Sequence, residues 1–219
     1  MKRIALSLGL LIAGTAQATP IDPEDARDQQ RPVATVVART NFLRGDIAGC
    51  PSAAPKCVRK GYLLSGDPVL LGKTQGGYRE VSFTGPKGTL SEGFVPVAAI
   101  KPWTAPAVWT GHWVRDEGEI DIRPGKRTGT YAVDGEATYG MHDPDRVKRG
   151  GVNIGNIDGE GVPANGLLRG GDEKADYECA WSLKLAGPYL IAADNGMCGG
   201  MNVRFNGFYR RAGAPAKKR

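Results

Sequence analysis

From residue 33 onward the apolar residues fall in short runs, punctuated by glycine and proline. Runs at 33–38, 62–64, 69–72, 78–83 and 93–97 have strand length and are rich in β-branched and aromatic residues. They predict a small barrel of about five strands over residues 33–100. Residues 101–107 carry Lys101-Pro102 and Ala105-Pro106, which resist regular structure and read as a linker. Beyond it the alternation lengthens. Trp109, Gly111 and Trp113 share one face of a strand. Tyr131, Val133, Ala137 and Tyr139 share another, opposite Asp134, Glu136 and Thr138, the pattern of a half-buried antiparallel strand. Cys179, Trp181, Leu183 and Leu185 alternate, Gly187-Pro188 turns the chain, and residues 189–192 return. Met201, Val203, Phe205, Gly207 and Tyr209 give a further strand pattern. About seven strands without a helical stretch predict a closed barrel or a compact sandwich over 108–211. The fold class is all-β, in two small domains.

The two ends follow different rules. Lys2 and Arg3 precede an apolar run over 4–13, and Ala16-Gln17-Ala18 supplies the small-x-small pattern of signal peptidase, so residues 1–18 read as a secretory signal peptide with Thr19 first in the mature chain. The run is shorter than the roughly 20 residues that span a bilayer, and no later stretch is apolar enough, so no membrane span is expected. No cysteine sits just after the cleavage site, which argues against a lipid anchor. Residues 19–32 are polar and carry Pro20, Pro23 and Pro32. Asp22-Pro23-Glu24 suits one helical turn, but nothing apolar continues it, and the segment reads as a flexible lead. Residues 212–219 form a basic tail. The expected location is periplasmic or secreted.

Composition sharpens this picture in two places. With 32 glycines and 15 prolines, short strands and turns are favoured over long helices. The formal charge of +6 falls to +4 without Lys2 and Arg3. Arg210, Arg211, Lys217, Lys218 and Arg219 concentrate it at the C-terminus, a bias that suits anionic envelope polymers, while nucleic acid is not expected outside the cytoplasm. Four cysteines fit an oxidising compartment, and spacing favours Cys50 with Cys57 and Cys179 with Cys198. Closing those loops is worth about 2.5 and about 3.3 kcal/mol in the chain-entropy treatment. Neither pair has the C-x-x-C spacing of a zinc site, and only His112 and His142 are available to assist, so no metal is expected.

Asn41-Phe42-Leu43-Arg44, Leu64-Ser65-Gly66-Asp67-Pro68-Val69, Gly77-Tyr78-Arg79-Glu80-Val81 and Gly93-Phe94-Val95 resemble, in order, the landmarks of bacterial Src-homology-3-like (SH3b-type) domains. These are a first strand ending in an N-x-R turn, a G-D turn, an aromatic-plus-valine strand and a closing glycine-aromatic-valine strand. Tyr78 and Phe94 stand where the family often has tryptophan, and the Cys50–Cys57 insertion enlarges the loop after the first strand. The resemblance implies a shallow groove, with Arg44, Tyr78, Arg79 and Phe94 as ligand-binding residues. Gly111-His112-Trp113 resembles the opening of lipocalin-type barrels, in which a basic residue near the C-terminus packs over the indole; Arg210 or Arg211 is placed to do so. The stretch from Tyr189 to Arg210 resembles the ends of small secreted bacterial proteins, some associated with lysozyme-inhibitor domains.

Catalytic signatures are missing. There is no G-x-S-x-G, and the glycine-rich stretch 150–171 lacks the strand-to-helix setting and Gly-Lys-Ser ending of a phosphate loop, so it reads as long barrel loops. Arg146, Lys148 and Arg149 just before it suit a carboxylate or phosphate. Asp116, Glu117 and Glu119, or Asp158 and Glu160, are carboxylates close enough in sequence for glycan hydrolysis, but each group borders a turn that already calls for such residues. His142 with Asp143 and Asp145 is a metal-flanking alternative to simple turn chemistry. No catalytic residue and no cofactor are expected. The leading reading is a non-catalytic envelope protein whose SH3-like domain binds a wall component or peptide, with peptidoglycan or an envelope protein as partner. An inhibitor of a wall hydrolase such as a lysozyme is the alternative within binding. A wall-processing hydrolase or metal-dependent enzyme is the alternative outside it.

Overall fold

A computed structural model describes residues 21–172 and 174–213. The expected signal peptide at 1–18, the expected first mature residue Thr19 and most of the basic tail lie outside the described residues. The fold is all-β, as the alternation predicts. A curled sheet of seven strands has the order β3-β2-β6-β5-β4-β1-β7. Its strands are β1 (Val33–Val36), β2 (Thr40–Leu43), β3 (Val58–Leu63), β4 (Pro68–Gln75), β5 (Tyr78–Thr84), β6 (Leu90–Pro96) and β7 (Ile100–Pro102). Val36, Phe42, Leu63, Val69, Val81 and Val95 fill its concave side.

The second sheet has eight strands: β8 (Gly111–Arg115), β9 (Gly118–Pro124), β10 (Tyr131–Tyr139), β11 (Asn153–Gly161), β12 (Leu167–Gly170), β13 (Trp181–Ala186), β14 (Tyr189–Asp194) and β15 (Gly207–Arg211). Each pairs with its sequence neighbour except β11 with β12, and β15 pairs back onto β8. The result is an up-and-down barrel, nearly closed, whose interior is packed by Trp113, Ile120, Ile157, Trp181, Leu190 and Tyr209 among others. Arg211 lies over the Trp113 ring at 5.0 Å and donates to the carbonyl of Val108, while Arg210 turns to Phe83 of the first sheet at 5.3 Å. Both disulfides have the expected pairing, Cys50–Cys57 and Cys179–Cys198. The second pins the loop before β15 against the free end of the barrel. There the Asn156 amide donates to Cys198, Gly200 donates to Ile154, and Gly155 bridges Gly199. An exposed strand edge is thereby covered.

Four expectations are corrected. The lead at 19–32 contains a helix, α1 (Pro23–Asp28), because Asp22 caps it through the Glu24 amide and Ile21 and Ala26 are buried against the barrel. The linker does not start at residue 101: Lys101 and Pro102 belong to β7, and the Trp103 amide donates to Val33. Residues 150–171 are not only loops. They hold β11 and β12, with glycines at inward positions because other groups occupy the space. A side chain on Gly170 would strike the Trp181 indole, and one on Gly155 the Cys198 carbonyl. Residues 201–206 are not strand: Val203 and Phe205 are buried from irregular backbone, held by the Asp194 carboxylate, which accepts from the Gly196 and Phe205 amides.

The two sheets meet over a shared buried cluster of Ile21, Ala26, Leu70, Tyr189, Ile191 and Phe208. The Tyr189 hydroxyl donates to the Pro68 carbonyl at 2.7 Å, and the Thr84 hydroxyl donates to the Phe208 carbonyl at 2.7 Å. Burial pushes the Tyr189 and Tyr209 phenols above their ordinary range, so both stay protonated; Tyr189 donates, while the Tyr209 oxygen accepts from Arg115 Nε at 3.0 Å. Among the described residues, no helix is long and apolar enough to cross a membrane.

Candidate functional site

The residues of the expected groove do not converge. Phe94 has no exposed surface, so it is corrected from groove residue to core: β6 lies between β5 and β2, and Phe94 and Val95 are both fully buried. Tyr78 is half-buried at the start of β5, opposite Gln75 and Pro96. Arg79 donates to the Thr74 hydroxyl at 2.7 Å. Arg44 is exposed just past β2, but Leu43 before it opposes Phe94, which sets it at a different level of the sheet from Tyr78.

A different surface of the first sheet does gather ligand-type chemistry. β3 ends the sheet, and Val58, Lys60, Tyr62 and Leu64 alternate on its outward face, all exposed. The Arg39 guanidinium stacks 4.2 Å from the Tyr62 ring centroid. Beside them Val37 is exposed, and the Ser65 hydroxyl donates to its carbonyl. Asn41 donates to the Arg59 carbonyl, and Arg59 to the Glu92 carbonyl, which stiffens the strand. Apolar, aromatic and cationic groups thus lie together on a strand whose far edge has no partner strand among the described residues. The signal in the sequence is the alternation 58-60-62-64, hidden because Lys60 is one of its members and Arg59 and Gly61 are two of its neighbours.

The chemistry considered for catalysis is dispersed. His142 Nε2 lies 2.7 Å from an Asp116 oxygen, and this hydrogen bond, with the nearby Glu117 charge, holds the imidazole above its ordinary value. Asp143 instead caps α2 (Pro144–Lys148), accepting from the Asp145 and Arg146 amides. Glu117 accepts from the Met141 amide at 2.5 Å. Glu160 accepts from the Thr130 hydroxyl at 2.6 Å and the Lys126 amide, which holds its carboxyl below the usual carboxylate range. His112 faces Asp121 at 3.2 Å. Among the described residues no cluster of three histidine, cysteine or acidic side chains is assembled for a metal ion.

Compared with known proteins, the chain matches no family model, no curated sequence and no solved structure.

Proposed function

We propose that this is a secreted, non-catalytic binding protein of the cell envelope that holds an anionic wall component or peptide on the outward face of β3. The observation that carries the reading is the Arg39–Tyr62 stack set among exposed Val58, Lys60 and Leu64. An aromatic face with a cation on it offers both apolar contact and charge to a peptide or sugar chain bearing carboxylates. Two disulfides are consistent with an oxidising compartment. The SH3-like resemblance assigns wall binding to the same sheet, through Arg44, Tyr78 and Arg79.

The test is cosedimentation of the purified full chain with purified peptidoglycan. The variant Arg39→Ala with Tyr62→Ala should lose most of the bound fraction at unchanged thermal midpoint, and raised salt should weaken the wild type. Equal binding by that variant removes β3 from the reading. Loss in Arg44→Ala with Tyr78→Ala instead moves the site to the groove implied by resemblance. A second reading, inhibition of a basic wall hydrolase, is favoured by the opposed carboxylates Asp121, Asp134 and Asp158 on the barrel's far face. A lysozyme activity assay with added protein tests it.

A further inference from the structure

The first sheet ends differently on its two sides. β7 is three residues long and closes on Pro102, two features that blunt an edge, whereas β3 runs for six residues with every position from Val58 to Tyr62 exposed. Among the described residues no strand pairs with the outer edge of β3. Its backbone is polarised by the bonds on its inner side. The Cys57 carbonyl accepts from the Arg44 amide at 2.7 Å, the Arg59 carbonyl accepts from the Asn41 side chain at 3.1 Å, and the Gly61 carbonyl faces the same Asn41 group. Peptide groups alternate sides along a strand, so the amides and carbonyls of Lys60 and Tyr62 point to the open edge. Residues spaced in this way are a template for an added strand.

Charge along this stretch selects the partner. From Val37 to Leu64 the chain carries five cations, Arg39, Arg44, Lys56, Arg59 and Lys60, against one acid, Asp46. Lys56 and Arg59 donate to the carbonyls of Ala48 and Glu92, and Arg39 lies on the Tyr62 ring, contacts that leave their charge uncompensated. Among the described residues, none of the five is ion-paired with a carboxylate. Asp67, beyond the strand, is turned to the Leu64 amide at 2.8 Å. A second copy of β3 would bring like charges together, so the cations oppose self-pairing and favour a strand that carries acids.

We propose that β3 captures an extended acidic segment of another polypeptide by taking it as an additional strand of the sheet. Lys60 and Tyr62 supply the ladder bonds, Val58 and the Tyr62 ring cover its apolar side chains, and Arg39 and Lys60 meet its carboxylates. Main-chain bonds supply affinity in this mode, and the alternating side chains supply the choice of acidic over basic strands. The inference rests on the reading of β3 as the binding surface and names both the partner and the manner of its capture.

The test is amide NMR with hydrogen exchange of the full chain, titrated with the peptide acetyl-Thr-Glu-Val-Glu-Val-Glu-Thr-amide. Saturable binding with slowed exchange at the Lys60 and Tyr62 amides is the expected result. The same peptide N-methylated at two adjacent central residues loses a donor on each of its edges and should bind about tenfold more weakly. A version with lysine in place of glutamate should not bind. Lys60→Gln and Lys60→Pro both remove the charge, but only the proline also removes the outward amide, so Lys60→Pro should bind the parent peptide more weakly than Lys60→Gln. Equal affinity for the methylated peptide, without slowed exchange, overturns edge pairing and leaves side-chain binding on the face of β3 standing. No binding of the parent peptide also overturns the proposal; cosedimentation with peptidoglycan that still depends on Arg39 and Tyr62 then preserves the broader reading, and its absence removes both. The methylated-peptide comparison uses the wild-type chain, so it decides even where Lys60→Pro does not fold.

Discussion

Two outer surfaces of the same barrel have opposite chemistry. On β14 every residue from Tyr189 to Ala193 is buried, because the barrel core covers one face and the first sheet with α1 covers the other. On β10 buried and exposed positions alternate, and the two central outward residues are acids: Asp134 opposes Asp121 on β9 and Asp158 on β11, while Glu136 opposes Glu119. The covered surface stabilises the fold through apolar contact and buried hydrogen bonds. The open one carries like charges directly opposite one another, an arrangement that opposes sheet formation. Stability is therefore concentrated at the seam, and negative charge at the far side.

The largest expected effect breaks the seam. Tyr189 is fully buried and its hydroxyl also accepts from the Thr84 amide at 3.4 Å. Tyr189→Ala should cost about 3–5 kcal/mol, judged by large-to-small core substitutions, and Tyr189→Phe about 1–2 kcal/mol for the lost hydroxyl bonds. Urea unfolding followed by tryptophan fluorescence measures both. A phenylalanine variant as unstable as the alanine one would show that the hydrogen bonds, and not the packing, join the sheets.

The disulfides come next. Their sequence separations are 19 for Cys179–Cys198 and 7 for Cys50–Cys57. Replacing the longer-loop pair by serine should cost about 3.3 kcal/mol and the shorter about 2.5 kcal/mol. Only the first should speed hydrogen exchange at Asn156 and Gly200, whose amides bond across the barrel opening. Unchanged exchange at those two amides would show that the loop stays docked without its covalent link.

The far face sharpens the contrast with an opposite sign. Asp134→Asn removes the central charge of its row and should stabilise by about 0.2–1 kcal/mol at low ionic strength. The gain should shrink in 1 M salt, where the screening length is about 3 Å. Destabilisation by this change would mean that a cation bridges the row.

These two surfaces also mark where sequence was legible. Residues 189–192 form an unbroken apolar run and 131–139 alternate, so two-sided and one-sided burial are both visible in one dimension. Cysteine spacing gave the pairing for the same reason, since short loops close locally. β11 was illegible because, around Ile157, its inward positions are mostly glycines that make room for Trp181 and the Cys198 loop, contacts made by distant residues. α1 was half legible: its cap and proline suited a helical turn, but two apolar residues, Ile21 and Ala26, are too few to show a buried face. Phe94 was ambiguous, as an aromatic flanked by glycine and valine suits a groove and a core equally. The contact of Arg27 with Ser182 on β13 carries no local signal at all, since it joins residues far apart in the chain, as do the bonds from Lys184 to the carbonyls of Arg27 and Gln29.

The smallest effect lies at the border between the two surfaces. Asp116 joins the seam through its amide, which donates to Gly88 of the first sheet at 2.9 Å, while its carboxylate faces outward to His142. The hydrogen bond favours the protonated imidazole, so His142 in the folded chain should titrate above its ordinary value near 6.5. A raised folded value means that the ion pair contributes fully below pH 6.5 and that its contribution disappears as pH rises through the folded value. Both side chains are well exposed, so salt should reduce the shift. Proton NMR of the His142 ring resonances follows this directly. Asp116→Asn should return the midpoint toward 6.5 without disturbing the Gly88 contact, whereas a wild-type midpoint at or below 6.5 would show that the pair does not form in solution.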